Sequence, residues 1–209
     1  LLSCQGLQTI LRKILDTTMD SLNNYIHFIQ EAEGLKCMTR TAWTSTGRRE
    51  STAEHSWRLA LLAGLLLPAY PGLDARRVLM LCLAHDLGEV YEGDISAALR
   101  PDQEEKERQE RAAVKRAAAS LPEKSGRELC KLWEEYNACE TPEARLVKAL
   151  DKAETILQHN QGANPPEFDY AFNLEYGKKY FEYDPLPRTL RAPVDKQTRE
   201  GVLKQKQRC

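Results

Sequence analysis

Val78-Leu79-Met80-Leu81-Cys82-Leu83-Ala84-His85-Asp86-Leu87-Gly88-Glu89 is the stretch that decides the fold. It opens with seven uninterrupted apolar residues, then sets an imidazole and a carboxylate side by side just before a glycine. Asp74, a few residues upstream, is a good N-cap, so the sequence reads as a helix from behind Asp74 towards Gly88. A helix apolar most of the way round is enclosed by others, and this one is expected at the centre of a bundle. The His85-Asp86 pair at its end needs compensation, because a bare buried carboxylate is expensive and would rather protonate. A divalent cation satisfies both groups; an ordinary charge pair at a helix end is the alternative, and the dipeptide alone does not choose.

Outward from this helix, nearly everything has helical periodicity. Leu11, Ile14, Leu15, Leu22, Tyr25, Ile26 and Ile29 keep three-to-four spacing up to about Gly34. Leu35 to Ala53 reads as a long polar loop, and a second helix is expected from Glu54 to Leu67, stopping at the Pro68–Gly72 turn. Residues 102–119 pair Glu104 with Arg108 and Glu107 with Arg111, the pattern of a solvated helix. Glu123 to Ala138 carries Leu129, Leu132, Trp133 and Tyr136 as a core stripe. Thr141-Pro142 then caps a helix with Leu146, Val147, Leu150, Ala153, Ile156 and Leu157 on its buried face. Beyond Gly162 an Asn-Pro-Pro stretch breaks the pattern, Phe168 to Tyr183 is a weaker helix, and Arg188 to Cys209 reads as a loosely docked basic tail. Alternating strand patterns are absent. The expectation is an all-α single domain, with residues 1–160 as the helical core and 161–209 as an extension.

Composition narrows the function classes. The 209 residues are 42% hydrophobic and 29% charged, a globular balance. Thirty basic against 31 acidic residues leave a net charge of −1, so no global field attracts nucleic acid, and no aromatic residues interleave with the bases of the tail. The longest apolar run, Leu59 to Ala69, falls short of the roughly 20 residues of a membrane span. No secretory signal follows Leu1, and six scattered cysteines without a CxxC argue for reduced thiols, hence a cytoplasmic protein.

His55 opens the helix that precedes the apolar one, and the short connection makes the two antiparallel neighbours, so His55 and His85-Asp86 arrive at the same end. Asp151, amid Leu146, Val147 and Leu150, has the same burial problem and the same remedy. Two imidazoles and two carboxylates suit one divalent transition metal, Mn²⁺, Co²⁺, Fe²⁺, Ni²⁺ or Zn²⁺, better than Mg²⁺ or Ca²⁺. Four protein ligands leave positions open for water and substrate, the mark of a catalytic site.

The ordered set His55, His85-Asp86, Asp151 resembles the HD-domain metal-dependent phosphohydrolases. Leu35–Trp43, Glu54-His55-Ser56, His85–Ile95 and Ala149–Glu154 are similar to the 5′-deoxynucleotidase branch of that family, over roughly Leu22 to Gln158. The resemblance implies removal of phosphate from (deoxy)nucleoside 5′-monophosphates, with His55, His85, Asp86 and Asp151 holding the metal. It implies that Glu89 positions or deprotonates the attacking water and that Asp94, after Gly93, assists the water or the leaving oxygen. Glu89 shares a helical face with His85 if the helix continues. Arg40 corresponds to the family's phosphate-binding arginine; the tryptophan that normally follows it directly comes here at Trp43, after Thr41 and Ala42. Glu54 and Glu154 are expected to orient ligands, Arg48 and Arg49 to lend charge nearby, and Trp57 and Trp133 to sit in the core. His27 and His159 match no family motif and read as ordinary histidines. The resemblance also implies a small phosphorylated substrate and a homodimer. Two other readings keep the site: hydrolysis of a phosphodiester, an alarmone or another phosphorylated metabolite, or a helical scaffold whose metal is structural.

Overall fold

The computed structural model describes the backbone of residues 4–91, 93 and 102–207, and side chains from residue 18 onward within that range. Its helices are α1 (Cys4–Ala32), α2 (Gly34–Cys37), α3 (Thr52–Leu66), α4 (Ala75–Ala84), α5 (Gln103–Ala118), α6 (Glu123–Ala138), α7 (Pro142–Gln161) and α8 (Pro185–Lys206). Between α2 and α3 runs an antiparallel hairpin of β1 (Thr39–Trp43) and β2 (Arg49–Ser51). The architecture is all-α, as expected, with this ribbon as its one departure among the described residues. No helix of the described residues is long and apolar enough to cross a membrane.

Local chemistry sets the helix starts. Ser51 closes a capping box with Glu54, its side chain accepting from the Glu54 amide while Glu54 accepts from the Ser51 amide at 2.8 Å. Asp74 caps α4 through the Arg77 amide at 3.0 Å, and Thr141 caps α7 ahead of Pro142. One core joins Leu59 and Ala63 of α3 to Val78, Leu81 and Cys82 of α4 and to Leu146, Val147 and Leu150 of α7. A second gathers Ala84, Leu87, Val114, Leu129 and Trp133.

Five expectations need correction. The enclosed helix is α7, which packs against α3, α4, α6, α8 and β1; α4 leaves Leu83 about half exposed. Hydropathy ranks them the other way because α7 buries Asp151, Glu154, Gln158 and His159, residues normally found outside. The polar stretch 35–53 forms the hairpin, with strands too short to show alternation, and Gly47 at φ 85 makes the turn that its left-handed backbone requires. The basic C-terminus is no loose tail: α8 lies on α7, and Arg191 is buried there, donating to the carbonyls of Asn173, Leu174 and Tyr176 and pairing with Asp195. The 168–183 segment is built of 3-10 turns (Ala171–Leu174 and Lys178–Tyr183) instead of a helix. Trp57 also turns outward, 61% exposed, whereas Trp133 is core.

The capping box carries a stability prediction. The Arg48 guanidinium, hydrogen-bonded to Glu54, outweighs burial and holds the Glu54 carboxyl down at about 2 against an ordinary 4.5. A depressed carboxyl contributes stability above its unfolded value that is lost as pH falls towards the folded one. Replacing Ser51 by Ala is expected to cost about 1 kcal/mol in urea melts at neutral pH. The gap between the parent protein and Glu54→Gln should close as pH drops from about 4.5 to about 2.

Candidate metal centre and cavity

His55 sits in the first turn of α3, directly after the capping box, so the ribbon and the cap fix where its ring points. His85 is the C-cap of α4, and its Nδ1 contacts the Cys82 carbonyl at 2.9 Å, which leaves Nε2 aimed away from the helix. Asp151 comes from the middle of α7. These elements bring the His55, His85 and Asp86 ligand atoms within 4.8 Å of one another. His55 Nε2 is 3.2 Å from Asp151 Oδ1 and 3.9 Å from Asp86 Oδ2, and His85 Nε2 is 3.2 Å from Asp86 Oδ2.

The donor chemistry fits a cation. Nε2 of both histidines is buried and has no hydrogen-bond partner, while carboxylate oxygens face it. Leaving two such nitrogens unsatisfied is costly unless something electropositive stands between them and the carboxylates. On the far side of the His55 ring, Nδ1 meets the buried carboxylate of Glu154, the orienting contact expected of a metal-binding imidazole. Burial and Arg40 oppose a positive charge on His55, but Glu154 and Asp151 outweigh them and push its pKa up to about 9. The same negative groups attract a divalent cation, which binds the ring in its neutral form. Burial resists ionisation of Asp86, yet the adjacent His85 holds its carboxyl below the usual range.

A cavity of about 550 Å³ opens onto this cluster, within the range of small-molecule sites. His85, Asp86 and Glu89 form its floor with Asp151. The helix does not continue past His85 as the Glu89 expectation required. α4 ends at Ala84, and a 3-10 turn over Leu87–Glu89 carries Glu89 to the cavity instead, where Thr52 Oγ1 donates to it at 3.3 Å and Lys106 Nζ lies 4.0 Å away. Arg40, on β1, also lines the cavity; it donates to Glu50 at 3.1 Å and to Thr155 at 3.0 Å. Trp43 does not line it, its ring meeting Phe168 edge-on at 6.1 Å. Asp94 lies outside the described residues.

The remaining candidates are placed as follows. Glu154 orients His55 as expected, but Glu54 is occupied by Ser51 and Arg48 at the surface, and Arg49 donates to the Arg40 carbonyl at 2.8 Å. His27 is exposed near Glu31, and buried His159 bonds Asn173 at 2.8 Å. Sequence reasoning missed three parts of the wall. Tyr136, read as core, donates its hydroxyl to Asp151 Oδ2. The helix read as wholly solvated, α5, gives Gln103, Lys106, Glu107 and Glu110 to the cavity. The segment Glu175–Tyr180 closes the outer side, and no spacing pattern marked it.

A model of the HD domain matches residues 32–187 of this chain. The chain belongs to the HD-domain family. Among its HD-domain relatives is a 5′-deoxynucleotidase of Bos taurus, 37% identical over 140 residues that make up 66% of this chain and 67% of the relative. A 5′-deoxynucleotidase of Schizosaccharomyces pombe is 29% identical over 87% of this chain and 90% of its own length. The crystal structure of a predicted metal-dependent phosphohydrolase from Magnetospirillum magnetotacticum superposes with a TM-score of 0.73 at 31% identity, covering 87% of this chain and 97% of that one. The resemblance to the 5′-deoxynucleotidase branch of the HD-domain phosphohydrolases is therefore borne out.

Tyr136→Phe removes the donor to Asp151 and little volume. It is expected to weaken divalent-cation affinity by roughly tenfold in a competition titration with a chromogenic chelator, with the thermal midpoint nearly unchanged.

Proposed function

We propose that this HD-domain protein is a metal-dependent phosphomonoesterase that removes phosphate from (deoxy)nucleoside 5′-monophosphates. The observation that carries this reading is the pair of buried, unpartnered Nε2 atoms, on His55 and His85, facing Asp86 and Asp151 at the floor of a cavity large enough for a nucleotide. The 5′-deoxynucleotidases among its relatives support the substrate class.

His55, His85, Asp86 and Asp151 would hold one divalent cation, and their mix of nitrogen and oxygen donors favours Mn²⁺, Co²⁺, Fe²⁺, Ni²⁺ or Zn²⁺ over Mg²⁺. When bound, such an ion supplies Lewis acidity that acidifies water and neutralises charge on phosphate oxygens. Glu89, reaching the cavity beside Lys106 and held by Thr52, orients the attacking water and takes its proton. The water oxygen bonds to phosphorus, the bond to the 5′-oxygen breaks, and that oxygen leaves with a proton, a task assigned to Asp94. Arg40, oriented by Glu50 and Thr155, offers its guanidinium to the phosphate from the cavity wall. No substrate contact is assigned to Trp43.

Protein stripped with a chelator should release no phosphate from a panel of nucleoside monophosphates, and added Mn²⁺ or Co²⁺ should restore turnover. Asp86→Ala should lose both the bound metal and the activity. Undiminished turnover in that variant refutes the assignment.

The four cysteines described are unpaired, in keeping with a cytoplasmic protein. We also propose a homodimer through α1. Leu22, Ile26 and Ile29 form a stripe along it that is 50%, 56% and 67% exposed, an apolar face that a second copy can cover symmetrically. Light scattering should give twice the mass of the chain, and Ile26→Lys with Ile29→Asp should return it to the single-chain value.

A further inference from the structure

Five lysines line the cavity, and their partners separate one from the rest. Lys152 lies 2.8 Å from Asp151, Lys106 lies 3.3 Å from Glu110, and Lys178 lies 3.3 Å from Glu175. Lys179 is exposed at the rim. Lys148 is half-buried and has no carboxylate within ion-pair distance among the described residues. Its ammonium rests 3.6 Å from the centre of the Tyr136 ring and 6.0 Å from that of Tyr180. A ring face attracts a cation but cannot replace an anion, and a partly desolvated ammonium is costly to keep without one. Burial, then the neighbouring charge of Lys152, lower its pKa to about 8, which still leaves it mostly charged at neutral pH.

The backbone explains the placement. Lys148 precedes Asp151 by three residues and Lys152 by four, so the three share one face of α7, and all three line the cavity. The stem of Lys152 is pinned from outside by Gly177. A Cβ there would meet Lys152 Cγ at 2.4 Å, and its φ of 64 also disfavours a side chain. Lys152 is thereby committed to Asp151, whereas Lys148, one turn back, is not.

We propose that Lys148 is a substrate-binding residue whose missing counter-ion is the phosphate group of the phosphorylated substrate, or the phosphate product after cleavage. The proposal rests on the phosphomonoesterase reading for the name of its ligand. Its central test needs no turnover. The Mn²⁺-loaded full-length chain is titrated with inorganic phosphate by calorimetry, for the parent protein, Lys148→Met and Lys148→Arg. Lys148→Met should weaken phosphate binding by about tenfold or more, the scale of one charge-assisted hydrogen bond, with metal content and thermal midpoint retained. Lys148→Arg should recover most of that loss. For hydrolysis, Lys148→Met should raise KM by a similar factor and change kcat less.

Unchanged phosphate affinity in Lys148→Met overturns the proposal. So does a loss of affinity accompanied by loss of metal or folding in both variants, which marks the residue as structural. A parent protein that binds phosphate through Lys148 but cleaves no monophosphate would leave this assignment standing and remove the proposed activity instead.

Discussion

His55 is the point on which the site turns. Its ring lies between two buried carboxylates, Glu154 at Nδ1 and Asp151 facing Nε2, with Asp86 slightly farther off. Three negative groups around one imidazole within a protein interior constitute a strong demand for positive charge. The protein answers on one side with Arg40 and Arg58, which approach Glu154 at 3.9 and 3.2 Å. On the other side His85 adds a second unpartnered nitrogen, and the surface opens into the cavity. Arg40 and Arg58 thus serve one side of the histidine, and the proposed divalent ion would complete the other.

That division is written along α7. Glu154, Thr155 and Gln158 serve the inner side, where they meet His55, Arg40 and Arg58, and the Trp43 carbonyl accepts from Gln158. Lys148, Asp151 and Lys152 serve the cavity. A helix this polar can be central only because nearly every buried group on it has a partner supplied by another element. The β1–β2 ribbon is one such supplier, since Arg40 and Glu50 both lie on it. Its small size conceals its importance: it brings a buried ion pair up to the back of the proposed metal ligands and then leads, through Ser51, straight into the turn that carries His55.

Of the four proposed ligands, His85, Asp86 and Asp151 were legible because each is a titratable group set beside apolar neighbours, and His55 because it opens the antiparallel neighbour of the helix that carries His85. Tyr136 was not, since a tyrosine on a core stripe reads as core whether or not its hydroxyl finds a carboxylate. The buried state of Glu50 and Arg191 was equally hidden. Each looks solvated in sequence, and only tertiary structure brings Arg40 to the one and a set of free carbonyls to the other. The helical nature of the chain survived these omissions because periodicity is local. The rank order of the helices did not, because enclosure depends on who pairs with whom.

The same reasoning separates the chemistry from the choice of substrate. The floor of the cavity comes from α4, the Leu87–Glu89 turn and α7, elements locked into the two apolar cores, so its atoms have little freedom to drift. The outer wall comes from α5 and from the Glu175–Tyr180 segment, held by Gly177 against Lys152 and by the carbonyls that Arg191 gathers behind it. The Lys178–Tyr183 turn carries lysines and tyrosines on 3-10 backbone and buries Phe181, while α5 packs Val114 into the second core. Changes in sequence there can reshape the outer wall without disturbing the ligand cluster. The wall that the sequence least announced thus stands apart from the floor that it announced most plainly.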